Sequence, residues 1–283
     1  MTTVPLLVTA EWLANNLDNP DIRIIDASFH LPTAGRDVRA EFVEAHIPGA
    51  VLFDIEAIKD TSSDLPHMMP DPAEFARMVG ELGISNDHHV IAYDTVGILS
   101  APRAWWMFRA MGHDKVSVLD GGLLAWVRGD HPTEAGTATP PPDYFEANLQ
   151  TDMIVDMGAV EAAIGKTQIA DARAAARFTG QAAEPRPGLR SGHIPGSRNL
   201  PSSTLIDPET GQFKDTATMR AAFEQAGLDI DQPMITSCGS GVTAAILSFA
   251  LALMGKTDTR LYDGSWSEWG MEGGPAIETG PAS

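Results

Sequence analysis

Four short motifs that each occur twice constrain the fold of this chain more than any other feature. Ile24-Ile25-Asp26-Ala27-Ser28 is answered by Ile169-Ala170-Asp171-Ala172-Arg173, and His46-Ile47-Pro48-Gly49-Ala50 by His193-Ile194-Pro195-Gly196-Ser197. Ile91-Ala92-Tyr93-Asp94 returns as Ile235-Thr236-Ser237-Cys238, and Leu119-Asp120-Gly121-Gly122 as Tyr262-Asp263-Gly264-Ser265. The pairs keep their order at separations of 143 to 147 residues, so the 283-residue chain reads as two copies of one domain. The Pro/Thr/Ala-rich stretch His131 to Asp143 has linker chemistry. It places one domain over residues 1–138 and the other over 139–283.

Each copy alternates short β-branched runs with helical patterns. In the first, Ile22–Ile25, Val90–Tyr93 and Val116–Leu119 read as strands, and Pro72–Leu82 and Pro102–Met111 as helices. Asp71 suits an N-cap, and Gly83 and Gly112 suit helix stops. In the second, Gln168–Ala170, Met234–Ser237 and Thr259–Tyr262 read as strands, with helices at Met219–Ala226 and Val242–Met254. Strands separated by helices pair in parallel, so the expected class is α/β: two tandem domains, each a mainly parallel sheet flanked by helices. In such sheets ligands sit off the carboxyl ends of the strands, where Asp94 and Cys238 fall.

A formal net charge of −19 argues against nucleic acid and against anionic membranes as partners. An anionic substrate would meet an opposing field, so local arginines would have to attract it. The segment MTTVPLLVTAEW lacks the basic start and long apolar run of a signal peptide. Val242–Met254 is too short to span a bilayer and reads as a buried helix. One cysteine forms no internal disulfide, so the expected setting is the cytoplasm.

A lone cysteine is ordinarily a small buried hydrophobe. Cys238, however, follows a strand, and Gly239-Ser240-Gly241 permits a tight loop whose N–H groups can turn inward. The helix from Val242 would aim its N-terminus at the sulfur, and such a cradle stabilises a thiolate or a persulfide anion. A Cys-x5-Arg phosphatase loop needs an arginine six residues after the cysteine; here that position is Ala244. Sulfur transfer is the chemistry that remains.

Cys238-Gly239-Ser240-Gly241-Val242-Thr243-Ala244 resembles the active-site loop of the tandem-domain rhodanese family, and within it of the sulfurtransferases that use 3-mercaptopyruvate. The likeness extends over nearly the whole chain, through Gly35-Arg36-Asp37, Phe53-Asp54-Ile55, Pro66-His67-Met68, Ser100-Ala101-Pro102-Arg103 and Tyr262-Asp263-Gly264-Ser265-Trp266. It implies an inactive first domain, in agreement with Asp94 at the cysteine position, and a catalytic second one. Thiosulfate-using relatives typically carry basic residues where this loop has Gly239 and Ser240, so the neutral pair favours mercaptopyruvate. Thiosulfate as donor, or a sulfur-relay module that receives persulfide from a protein partner, are the alternatives.

The resemblance also assigns roles. Gly239, Gly241, Val242 and Thr243 would line the substrate, and Arg177 and Arg186 would bind its carboxylate, for which the guanidinium fork is well matched. Arg190 and Arg198 are close enough in sequence to share that task. Ser240, His67 and Glu56 would form a serine-protease-like triad that relays a proton to the departing enolate, with Asp54 competing for the acidic place. The acceptor would be a small thiol, cyanide or thioredoxin. No cofactor is implied, no Cys/His cluster has metal spacing, and no Gly-rich phosphate or dinucleotide motif occurs. His46 and His193, present in both copies, are expected to brace loops. Trp105, Trp106 and Phe108 are expected to pack in the core, and His88 and His89 to face solvent.

Overall fold

The computed structural model describes residues 4–137 and 139–282. Ala138, at the expected boundary between the two domains, lies outside the described residues, as do the first three residues and the last. The chain forms two compact units. One comprises Met1–Asp60, Met69–Gln150 and Asp207–Phe213; the other comprises Thr61–Met68, Thr151–Ile206 and Lys214–Ser283. The short segment that carries His67 therefore folds with the second unit.

In the first unit the strands are β1 (Leu7–Val8), β2 (Ile22–Asp26), β3 (Val51–Leu52), β4 (His89–Tyr93) and β5 (Val116–Leu119). They pair in the order β1-β5-β4-β2-β3, and every pairing is parallel. The helices are α1 (Ala10–Ala14), α2 (Val38–Glu44), α3 (Pro72–Glu81), α4 (Ala101–Ala110) and α5 (Gly122–Arg128). Helix α3 shows the local logic. Asp71 caps it by accepting the Ala73 N–H at 2.8 Å, Pro72 opens it, and Gly83 at φ +72 ends it. Phe75 and Val79, four residues apart on one face, are fully buried.

The second unit repeats the plan. Its strands β6 (Ile154–Val155), β7 (Gln168–Asp171), β8 (Arg198–Asn199), β9 (Met234–Ser237) and β10 (Arg260–Tyr262) pair as β6-β10-β9-β7-β8, again all parallel. That is the first order, strand for strand. Its helices are α6 (Met157–Ala163), α7 (Ala175–Phe178), α8 (Thr216–Gln225), α9 (Ala244–Leu253) and α10 (Ser265–Trp269). In α9 every residue from Ala244 to Ala252 is buried, as its nearly unbroken apolar sequence requires. No helix among the described residues is long and apolar enough to cross a membrane.

The paired histidines are braces. His46 Nδ1 lies 2.7 Å from the Phe42 carbonyl oxygen and its ring stacks on Phe42; His193 does the same with Phe178 at 2.9 Å. Trp105, Trp106 and Phe108 are buried in the first unit. The expectation for His88 and His89 is corrected. His88 is 8% exposed, and His89 opens β4 with Nε2 at 2.6 Å from Ser117 Oγ. Burial drives the His89 pKa down to about 4. Alternation did not reveal this, because a strand covered on both faces leaves even its first residue half-buried.

Candidate active site

The level carboxyl ends of β7 and β9 create the platform for the site. Asp171 pairs with Ser237 across the ladder, and the Ala172 N–H donates to the Ser237 carbonyl at 2.8 Å, so the next residue, Cys238, emerges at the sheet rim. Residues 238–243 then turn back into α9. Gly241, at φ +77, supplies a conformation a side chain would resist.

Two residues of the following turn fasten this loop. Ser265 Oγ accepts the N–H groups of Cys238 and Gly241, each at 3.2 Å. The Gly239 carbonyl accepts the Ser267 N–H at 2.8 Å and its hydroxyl at 2.6 Å. Cys238 is only 1% exposed and Ser240 5%. The N–H groups of Gly239, Ser240, Val242 and Thr243 donate to no partner among the described residues. Buried main-chain donors are nearly always paired, so a cluster of uncommitted ones beside a thiol marks a place where an anion fits.

His67 Nδ1 lies 3.1 Å from Ser240 Oγ, and which of the two donates depends on the imidazole tautomer. His67 is 2% exposed and adopts φ +61, a strained value for a non-glycine residue. Two of the three expected relay residues thus meet within the second unit. Glu56 lies in the first unit, where its carboxylate pairs with Lys59 Nζ at 3.0 Å and its N–H donates to Asp54 Oδ1 at 2.9 Å. Asp54 is itself bound by Arg39 Nη2 at 2.5 Å.

Arg177 stands on α7, and its guanidinium overlies the loop. A Cβ placed on Gly239 would come 3.0 Å from Arg177 Nη2. That pose is built by residues the sequence reading left without a role. Glu184, its side chain 1% exposed, accepts Arg177 Nε at 3.1 Å and also Nη2 through the same oxygen. Its other oxygen accepts Arg173 Nη1 at 2.8 Å. Arg173 is held by Asp171, with Nη2 at 2.6 Å from Oδ2, and lies 4.2 Å from the centre of the Trp266 ring. Burying one of these charges alone would be prohibitive; alternating cation and carboxylate makes the row tolerable and fixes its geometry.

Glu184 belongs to Glu184-Pro185-Arg186-Pro187-Gly188, where a charged residue in a loop gives no periodicity by which to foresee burial. Arg186 follows on the same loop, half-buried. Arg190, also offered for the carboxylate, bonds to main-chain carbonyls. Its Nη2 donates to the Trp269 and Pro275 carbonyls at 2.8 and 2.9 Å, stapling that turn. Arg198, in β8, runs beside Gly227.

The rhodanese-like domain model matches residues 9–128 and 156–272. The chain is 47% identical over 274 residues to 3-mercaptopyruvate sulfurtransferase of Escherichia coli (strain K12), covering 96% of this chain and 97% of that protein. It is 43% identical to thiosulfate sulfurtransferase of Gallus gallus, covering 93% of this chain and 92% of that protein. The crystal structure of SseA from Escherichia coli, described as a 3-mercaptopyruvate sulfotransferase with the rhodanese fold, superposes with a TM-score of 0.85 at 45% identity. That match covers 94% of this chain and all of SseA. With one rhodanese-like domain in each half, the chain belongs to the rhodanese family.

Proposed function

We propose that the chain moves sulfur from 3-mercaptopyruvate to an acceptor through a persulfide on Cys238. The observation that carries this reading is the sole thiol at the end of β9, set among loop N–H groups that the described residues leave uncommitted. Arg177 and Arg186 hold the substrate carboxylate, and Gly239, Gly241, Val242 and Thr243 line the reacting sulfur. The Cys238 thiolate attacks that sulfur, and an S–S bond forms as the carbon–sulfur bond breaks. The released electron pair passes into the enolate of pyruvate, whose carbon takes up one proton. Ser240, polarised by His67, relays that proton, with Glu56 as the acidic partner of the relay. In the second half-reaction a small thiol, cyanide or reduced thioredoxin attacks the outer sulfur, and the S–S electron pair returns to Cys238.

The chain works in the cytoplasm, where a lone thiol stays reduced. Thiosulfate is the second reading, favoured by the likeness to the Gallus gallus enzyme; the uncharged Gly239 and Ser240 favour 3-mercaptopyruvate. The test compares kcat/KM for the two donors, with pyruvate release followed for the first. A higher value for 3-mercaptopyruvate, and its loss in Cys238→Ser, is expected. A preference for thiosulfate overturns the choice of donor, and substantial turnover by Cys238→Ser overturns the nucleophile.

A further inference from the structure

We infer that Ser265 is a positioning residue for the Cys238 loop, holding its first and fourth residues at the spacing that sulfur transfer needs; the inference rests on the sulfur-transfer reading of that loop. Ser265 is fully buried and adopts φ +49. Its counterpart in the first unit is Gly122, at φ +53. Matching hydrogen bonds fix the equivalence: the Leu123 N–H donates to the Asp94 carbonyl at 3.0 Å, and the Trp266 N–H to the Cys238 carbonyl at 3.0 Å. The same left-handed turn is thus made once with glycine, which bears it freely, and once with serine, which is strained there.

Space points the same way. A Cβ on Gly122 would collide with the Asp94 carbonyl oxygen and stand 2.7 Å from that of Gly97, so the path of the first loop excludes any side chain. In the second loop the side chain is present and engaged. Ser265 Oγ accepts from the first residue of the loop, Cys238, and from the fourth, Gly241, while its own proton goes to the Tyr262 carbonyl at 2.7 Å. One oxygen anchored to β10 therefore clamps the loop across the nucleophile. Strain beside the reacting atom, offset by two hydrogen bonds to that loop, is the mark of a positioning role. Because its proton and its lone pairs are committed within the protein, the hydroxyl acts through the loop and not on the substrate.

The test is steady-state transfer from 3-mercaptopyruvate by Ser265→Gly and Ser265→Ala, with melting temperature measured alongside. Ser265→Gly removes the strain together with the hydroxyl, but it also leaves the Cys238 and Gly241 N–H groups without their acceptor, so the melting temperature checks that both variants stay folded. In both variants kcat should fall roughly tenfold to a hundredfold with KM little changed, because the arginines that hold the carboxylate are intact. Parental kcat in Ser265→Gly, or a loss confined to KM, overturns the inference. Cys238→Ser separates the two claims. If it is inactive while Ser265→Gly is fully active, only the role of Ser265 fails; if it stays active, the sulfur-transfer reading itself fails. Should the parent turn over no donor, the iodoacetamide alkylation rate of the sole thiol decides. A change of at least about threefold in Ser265→Gly supports the clamp, and an unchanged rate overturns it.

Discussion

After β4 and after β9 the two units make the same turn and fill it with opposite chemistry. In the first, the Asp94 carboxylate occupies its own loop. Oδ1 accepts the Val96 N–H at 3.1 Å, and Oδ2 accepts those of Leu99, Ser100 and Ala101 at 2.8, 2.9 and 3.0 Å. Burial holds this carboxyl above the usual carboxylate range, against the pull of the four donors. In the second unit, the positions that answer Val96 and Leu99 at a separation of 144 are Ser240 and Thr243, whose N–H groups are uncommitted among the described residues. One loop carries a built-in carboxyl acceptor and is closed. The other offers its donors beside a thiol. The comparison teaches that the cradle belongs to the fold, while the residue at the strand end decides whether it is filled from within or left for a ligand.

Several substitutions break or sharpen this comparison. The largest effect is expected from Cys238→Asp, which gives the second loop the residue of the first. Transfer should fall by at least about a thousandfold while the protein stays folded. Retained turnover would show that the two loops do not differ in the way described. Next comes Asp94→Ala, which leaves four N–H groups, two of them buried and two half-buried, without their acceptor. Urea denaturation should register a loss of about 2–4 kcal/mol, whereas a change below about half a kcal/mol would mean that the carboxylate does not hold the loop.

A pH experiment follows in size. His113 is 3% exposed, and its pKa is lowered from 6.5 to about 4, burial being the largest cause. The unfolded chain therefore binds more protons between those values, and the stability that a neutral His113 contributes is lost as pH falls through that window. His113→Gln should remove this loss, narrowing its deficit to the parent by about 2 kcal/mol between roughly pH 8 and roughly pH 5. A deficit independent of pH would contradict the buried, neutral imidazole. The smallest effect is set for Gly239→Ala, whose Cβ would meet the Arg177 guanidinium at 3.0 Å. Since Glu184 anchors that guanidinium, KM for 3-mercaptopyruvate should rise roughly threefold to tenfold with kcat little changed. Unchanged KM would place the carboxylate elsewhere.

Much of this contrast is legible in the sequence. The repeated Asp26 and Asp171 motifs, the His-Ile-Pro-Gly pairs and the alternation of strands with helices specify two like α/β units. Asp94 against Cys238 specifies which of the two loops carries the thiol. The sequence conceals whatever depends on contacts distant along the chain. Ser265 reads as one more member of a turn motif until its hydroxyl is seen 24 residues away at Gly241. Glu184 has no role in the sequence until Arg173 and Arg177 are seen on its two oxygens. His89 reads as a polar residue before a strand, because single-sequence alternation does not reveal that both faces of a parallel sheet are covered.

The most direct test weighs the intact protein after one equivalent of 3-mercaptopyruvate is added without any acceptor. The account predicts one pyruvate released per chain and a mass gain of one sulfur atom, mapped to Cys238 and removed by cyanide. Pyruvate released with no sulfur left on the protein, or sulfur retained by Cys238→Ser, would contradict it.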